Sequence, residues 1–273
     1  MLDTLNFVLT NRLPRLAASR LAGKLSGIEH PLWAKPALWL WARFGGLDFS
    51  ATPHTGFKSI KDCFTRPLLP GARPVASHAL GVSPCDGIVG AHGRVDQGRM
   101  FQVKGLDYAL NDLVIDPALA QGLAGHQYMT IRITASMYHR LHAPCAGMVN
   151  TVHYIHGDTW NVNPPALARV PGLFCRNERA VMDCTSAHGE QVVMVPVAAI
   201  LVAGIRLHCT GLLFEQGYRG PARWSVNTPM QCGEELGWFE HGSTVVLLVP
   251  GHWRLHESIA VGSRLHMGQA LWV

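Results

Sequence analysis

Four residues stand where they could do chemistry: a serine, an aspartate and two histidines. Ser243 follows Gly242 and leads into the apolar run Val245 to Val249. A serine hydroxyl can attack the carbonyl of a preceding glycine, which no side chain shields and whose backbone tolerates strain. Read alone, Gly-Ser-Thr before a strand is a plain turn, so the reading needs partners elsewhere. Serine is a weak nucleophile without a base. His139 and His142 lie three residues apart, before the turn Ala143-Pro144. They can be metal ligands with a third group, a general base beside a proton-transfer residue, or structural side chains. Asp86 sits in a Pro-x-Asp-Gly turn, where an aspartate makes a local Asx hydrogen bond or orients a histidine. Asp86, His142 and Ser243 would make an Asp-His-Ser triad assembled from distant parts of the chain.

The elements that must position these groups differ along the sequence. Residues 1 to 61 are basic, and Leu5, Leu9, Leu13, Leu16 and Leu21 recur at helical spacing. The segment Pro31 to Phe44 adds Trp33, Trp39 and Trp41. Basic helices bearing Trp and Leu suit a lipid interface, the alternative being ordinary packing on a domain. From about residue 64 the pattern turns to strands. Met129, Ile131 and Ile133 alternate with Thr130, Arg132 and Thr134, which predicts a half-buried strand. Further strands are expected at Met148 to Ile155, Gln191 to Val197, Ala199 to Leu207 and Thr244 to Val249, with Gly and Pro between them. Short helices are expected at Ser59 to Thr65 and Leu106 to Leu113. The fold class is therefore α+β, a β-rich catalytic domain of mixed or antiparallel sheets over 62–273 with a helical N-terminal appendage over 1–61.

Composition narrows the classes. The chain has 273 residues, 48% hydrophobic and 15% charged, with a net charge of +5. That excludes a disordered chain and suits an anionic partner. The basic residues are scattered and carry no RNA-binding motif, so no nucleic acid is expected. Seven cysteines, an odd number without Cys-x-x-Cys, read as reduced thiols facing the cytosol. No signal-peptide layout and no apolar run long enough to cross a bilayer is present.

Five ordered stretches resemble the phosphatidylserine decarboxylase family in its bacterial proenzyme form. They are Ser83 to Gly87, Tyr138 to His142, Gly157 to Asn163, Asn177-Glu178-Arg179, and Gly242-Ser243-Thr244. Phe64 to Leu68, Ala72-Arg73-Pro74 and Lys104 to Tyr108 add to them, so the resemblance covers about residues 56 to 270. Met137 departs from the Asp frequent before Tyr-His, and His241 from the Leu common before Gly-Ser.

The resemblance implies a chain that cleaves itself between Gly242 and Ser243, with His142, held by Asp86, as the base. The products would be a β chain of residues 1–242 and an α chain of residues 243–273, kept together as a heterodimer. Residue 243 would carry a covalent pyruvoyl cofactor that forms a Schiff base with phosphatidylserine, with release of carbon dioxide and phosphatidylethanolamine. His139 would position the carboxylate and assist protonation. No metal is expected, although a zinc hydrolase built on Asp86, His139 and His142 is the rival enzyme reading. The implied place is the cytoplasmic side of the cell membrane, bound peripherally to anionic lipid.

Overall fold

The computed structural model describes Phe7 and residues 14–53, 56–103, 106–200, 204–215, 217–240 and 243–273. His241 and Gly242 lie outside the described residues, as do Leu5, Leu9, Leu13, Lys104 and Gly105. Among the described residues the helices with defined bounds before the first strand are α1 (Arg15–Ser26), α2 (Pro31–Gly45) and the single-turn α3 (Ile60–Phe64). Pro31 starts α2, where its missing N–H costs nothing. The Ser59 hydroxyl caps α3 by accepting from the Asp62 N–H at 3.1 Å.

The strands are β1 (Gly81–Val82), β2 (Gly87–Arg94), β3 (Arg99–Val103), β4 (Leu106–Ala109), β5 (Gln127–Ile133), β6 (Arg140–His142), β7 (Gly147–Ile155) and β8 (Arg179–Ser186). They continue as β9 (Gln191–Ala198), β10 (Ile205–Leu207), β11 (Leu212–Phe214), β12 (Arg223–Met230), β13 (Glu235–Phe239), β14 (Ser243–Val249), β15 (Arg264–Leu265) and β16 (Ala270–Trp272). Eight form one sheet in the order β12-β7-β8-β9-β14-β5-β2-β15, and four form a second in the order β11-β10-β13-β6. Among the described residues every pairing between these strands is antiparallel. One continuous cluster of buried side chains draws on both sheets, for example Val246 and Ile131 from the first and Phe239 and Leu141 from the second. The α+β, β-rich class is thus as expected.

β14 lies between β5 and β9, and each of its seven residues is buried. Its β-branched and leucine residues suit a strand covered on both faces. β5 departs from simple alternation for the same reason: flanked by β14 and β2, it buries Thr130 as well as its apolar residues. Two expectations need correcting. Ala199 to Leu207 is not one strand: β9 ends at Ala198 in the large sheet, and β10 opens at Ile205 in the small one. Leu106 to Leu113 is a strand, Leu106–Ala109, followed by a helix, Leu110–Val114, because Leu106–Ala109 pairs with β3.

The N-terminal helices touch the β-rich part at defined points. Arg15 on α1 forms an ion pair with Asp158, and its guanidinium lies 3.7 Å from the centre of the Trp160 ring. The Ser19 and Thr159 hydroxyls are 3.2 Å apart in a buried contact. Along α2 only Ala34 is buried; Leu32, Trp39, Leu40 and Phe44 are 84, 65, 54 and 73% exposed. Among the described residues no helix is long and apolar enough to cross a membrane.

Candidate active site

Ser243 is the first residue of β14, paired with Ile133 on one side and Ala198 on the other. It is fully buried, and its Oγ has no hydrogen-bond partner among the described residues. A buried hydroxyl without a partner forfeits its hydration, an arrangement that points to use of the atom in chemistry.

Asp86 reaches the same end of the sheet. Ile88, Arg132 and Thr244 stand in one row across β2, β5 and β14, so the turn before β2 is level with the start of β14. At the usual strand spacing the two backbones are roughly 10 Å apart. Gly87 is needed there: a Cβ would lie 2.3 Å from Ile131 Cγ2 and 3.0 Å from the Arg132 carbonyl oxygen. The neighbouring Pro84 carbonyl accepts the His142 backbone N–H at 2.8 Å, which brings the Ser83–Gly87 turn against β6.

The side chains are connected differently from the expected triad. Asp86 does not bond His142. Its carboxylate takes a fork from Arg73, with Nε at 2.9 Å and Nη2 at 2.6 Å, and accepts the Met267 N–H at 2.8 Å. His266 Nδ1 lies 3.6 Å away. The planar guanidinium offers two parallel donors, a better match to a carboxylate than one imidazole N–H. The pairing with Asp86 raises the Arg73 pKa, so this cation is permanent.

His142 is held instead by a carbonyl. Its Nδ1 lies 2.8 Å from the Gly233 oxygen and its Nε2 2.9 Å from the Tyr138 hydroxyl. A carbonyl only accepts, so Nδ1 carries the proton and Nε2 accepts from Tyr138. This is the tautomer a general base needs. Burial lowers the His142 pKa, with the Gly233 hydrogen bond opposing, so the ring is held neutral. Burial pushes the Tyr138 hydroxyl well up, which keeps it protonated and donating.

His139 is completely buried, and its Nδ1–H donates to the Met137 carbonyl at 2.8 Å. The backbone of residue 137 does the holding, so the Met in place of Asp leaves this contact intact. The His139 carbonyl accepts from Phe239 N–H at 3.0 Å, while His142 pairs with Glu235. His139 is thus level with the end of β13 that leads to Ser243, and His142 with the far end. Glu240, buried just beyond β13, is ion-paired to Lys61 of α3 at 2.7 Å.

The other matched stretches support the strand beside Ser243. Asn177 accepts the Trp160 N–H at 2.8 Å and donates to the Trp160 and Ala198 carbonyls at 2.9 and 2.8 Å. Ala198 is the β9 partner of Ser243. Arg179, buried, donates to the carbonyls of Leu113, Asp112, Cys175 and Asn177. Burial brings its pKa down to about 10. Glu178 is buried beside Tyr154, whose hydroxyl donates to it at 2.6 Å, and burial pushes its pKa up to about 7.

Sequence reasoning missed the roles of Arg73, Tyr138, Gly233, Lys61 and Glu240. Arg73 and Tyr138 stand inside matched stretches, which was a usable signal. Gly233 acts through its carbonyl, which every residue carries, and no signal could have found it. Among the described residues no three His, Cys, Asp or Glu side chains converge as a metal site. All seven cysteines are free thiols.

With this geometry in view, a family model described as phosphatidylserine decarboxylase matches residues 60–273. The chain is 38% identical over 267 residues to a phosphatidylserine decarboxylase proenzyme of Anaeromyxobacter sp. (strain K), covering 95% of this chain and 94% of that one. It is 35% identical to the proenzyme of Chromobacterium violaceum over 274 residues, 97% of this chain and 98% of the relative. With that of Methylobacillus flagellatus it shares 34% identity over 251 residues, 87% of each.

Proposed function

The chain belongs to the phosphatidylserine decarboxylase family, a family of lyases, and from that premise we propose that it is a self-processing, pyruvoyl-dependent phosphatidylserine decarboxylase of the inner face of the cell membrane. The observation that carries the reading is Ser243: a buried hydroxyl without a hydrogen-bond partner among the described residues, at the first position of the central strand. It fits a residue that is converted into a prosthetic group, since nothing in the described fold uses its Oγ.

In processing, His142 would take the Ser243 proton at Nε2, the nitrogen left without hydrogen by the Gly233 contact; because His142 pairs with the far end of β13, its ring must move toward Ser243 for this step. The Tyr138 hydroxyl must shift off Nε2 for this step. Ser243 Oγ attacks the Gly242 carbonyl carbon, and the peptide C–N bond breaks as an ester forms. Loss of the Cα proton of residue 243 then expels the Gly242 carboxylate and leaves dehydroalanine. Its imine tautomer adds water and releases ammonia, which gives the pyruvoyl ketone. Atoms balance with one water consumed and one ammonia lost. Asp86, locked by Arg73, sets the turn on which the His142 backbone hangs. The α chain would stay in place, because β14 is paired on both sides by strands of the β chain.

The pyruvoyl group, once formed, supplies an electron sink for the carbon that loses carboxylate. His139, with its Nδ1–H on the Met137 carbonyl, stands at the end of β13 nearest residue 243 and would orient the substrate carboxylate and assist reprotonation. Burial around residue 243 excludes water from the reacting carbon. The 1–61 region, with its exposed Leu32, Trp39, Leu40 and Phe44, would seat the enzyme on anionic bilayer.

Intact-mass measurement of the wild type beside Ser243→Ala tests the proposal. Two wild-type species are expected, ending at Gly242 and starting with a pyruvoyl-blocked residue 243, against one full-length mass for the variant. Cleavage of Ser243→Ala, or an uncleaved and active wild type, would refute the proposal.

A further inference from the structure

Three aromatic rings form a column from the exposed helix α2 to the buried His139. Trp41 of α2 stacks on Phe64 with ring centres 5.4 Å apart and planes 15° from parallel. Phe64 packs on the His139 imidazole at 3.9 Å between centres. Trp41 sits among the exposed apolar residues of α2, between Leu40 and Phe44. Gly45, one turn on, makes room for the indole: a Cβ there would lie 2.4 Å from Trp41 Cδ1.

The anchoring of Phe64 gives the column its meaning. A five-residue helix such as α3 is not stable by itself, because nucleation is too costly for one turn. Tertiary contacts must hold it, and several run to the site or to α2. Lys61 pairs with Glu240, on the segment that leads to Ser243. Buried Arg66 donates to the Cys63 carbonyl at 3.0 Å and to the Ser136 carbonyl at 3.2 Å, which ties α3 to the loop bearing His139. Trp41 covers the ring of Phe64. The Nδ1–H bond to the Met137 carbonyl fixes one edge of the imidazole. The Phe64 ring, packed against it with the two planes 42° apart, restricts its plane and hence the direction of Nε2.

We propose that Phe64 and Trp41 are positioning residues for His139 in decarboxylation, Phe64 setting the plane of the imidazole and Trp41 fixing Phe64 from the docking helix. This rests on the decarboxylase reading above. Neither ring carries a proton to or from substrate, so both act through His139.

The test uses the full chain bearing Trp41→Ala, Trp41→Phe or Phe64→Leu. Each is assayed on phosphatidylserine in anionic vesicles and on dispersed short-chain phosphatidylserine, alongside cleavage by intact mass. Complete self-cleavage reports a folded site. Trp41→Ala is expected to cleave fully and bind vesicles as wild type. Its kcat should fall about tenfold on both substrates with KM little changed, the cost of a misdirected catalytic group. Trp41→Phe should recover most of kcat, and Phe64→Leu should lose at least as much as Trp41→Ala. Full kcat in Trp41→Ala would overturn the proposal. So would a loss confined to vesicles or to KM, which would mean that Trp41 only docks. A wild type that neither cleaves nor decarboxylates would instead overturn the decarboxylase reading, and this inference with it.

Discussion

Asp86→Asn separates the structural work of this carboxylate from the part in processing proposed for it. The carboxylate accepts three hydrogen bonds within 2.9 Å, two from the Arg73 guanidinium and one from the Met267 N–H, and is 5% exposed. An asparagine carbonyl can keep the Met267 bond, but its NH2 would face the Arg73 donors. Removing one partner of a buried ion pair costs about 3–5 kcal/mol. The Arg73 side chain is 19% exposed, so water recovers part of that and about 2–3 kcal/mol is expected. For a chain of this size each kcal/mol moves Tm by about 2–4 °C, so the fall should be about 4–12 °C. The thermal scan belongs on a Ser243→Ala background, where a single uncleaved chain gives a defined transition. Self-cleavage of Asp86→Asn with Ser243 intact, followed by intact mass over time, should leave mostly full-length chain. The link is short: the Pro84 carbonyl in the same turn holds the His142 backbone. Normal cleavage together with an unchanged Tm would refute the reasoning. Lost cleavage at unchanged Tm would show that Asp86 acts on His142 directly, by leaving Arg73 during processing.

Glu178 should make stability fall with rising pH. Burial raises its folded pKa from 4.5 to about 7, so between these values the folded state holds more protons than the unfolded one. Its contribution is full below about pH 4.5 and is lost as pH rises through about 7, to the extent of about 3 kcal/mol. Glu178→Gln on the Ser243→Ala background should flatten that slope in Tm against pH; an unchanged slope would exclude Glu178 as its source. Replacing Leu32, Trp39, Leu40 and Phe44 together with Ser should cut co-sedimentation with anionic vesicles by at least about tenfold, since each buried apolar side chain contributes about 1.5–3 kcal/mol. Equal co-sedimentation would move the docking surface elsewhere. Arg15→Ala removes both the Asp158 ion pair and the contact with the Trp160 ring. With both carboxylate and guanidinium partly exposed, a loss of about 1 kcal/mol and faster proteolysis within α1 are expected, and unchanged proteolysis would show that other contacts hold α1.

Much of the protein was legible in its residues. The β-branched runs at 147–155, 191–198 and 243–249 announce strands because their side chains fit a pleated, buried surface and little else. Pro31 and Ser59 mark helix starts through local backbone chemistry. The ordered motifs placed Asp86, His139, His142 and Ser243 as the candidate site, and the family followed from them. Strand ends at 198–205 were less legible, because apolar composition continues across the gap while the chain changes sheets.

Only the tertiary structure decided who touches whom. Arg73 takes the Asp86 carboxylate, and a carbonyl 91 residues away holds His142 in its tautomer. Phe64 and Trp41 line up behind His139 because α2 and α3 fold back onto the loop after β5. The physical reason is common to all three. Local propensity and periodicity act over a turn or a strand, whereas the pairing of donors, carbonyls and ring faces depends on which strands share a sheet and in what register. A backbone carbonyl such as that of Gly233 has the same chemistry at every residue, so its selection leaves no trace in the residue types and is settled by register alone.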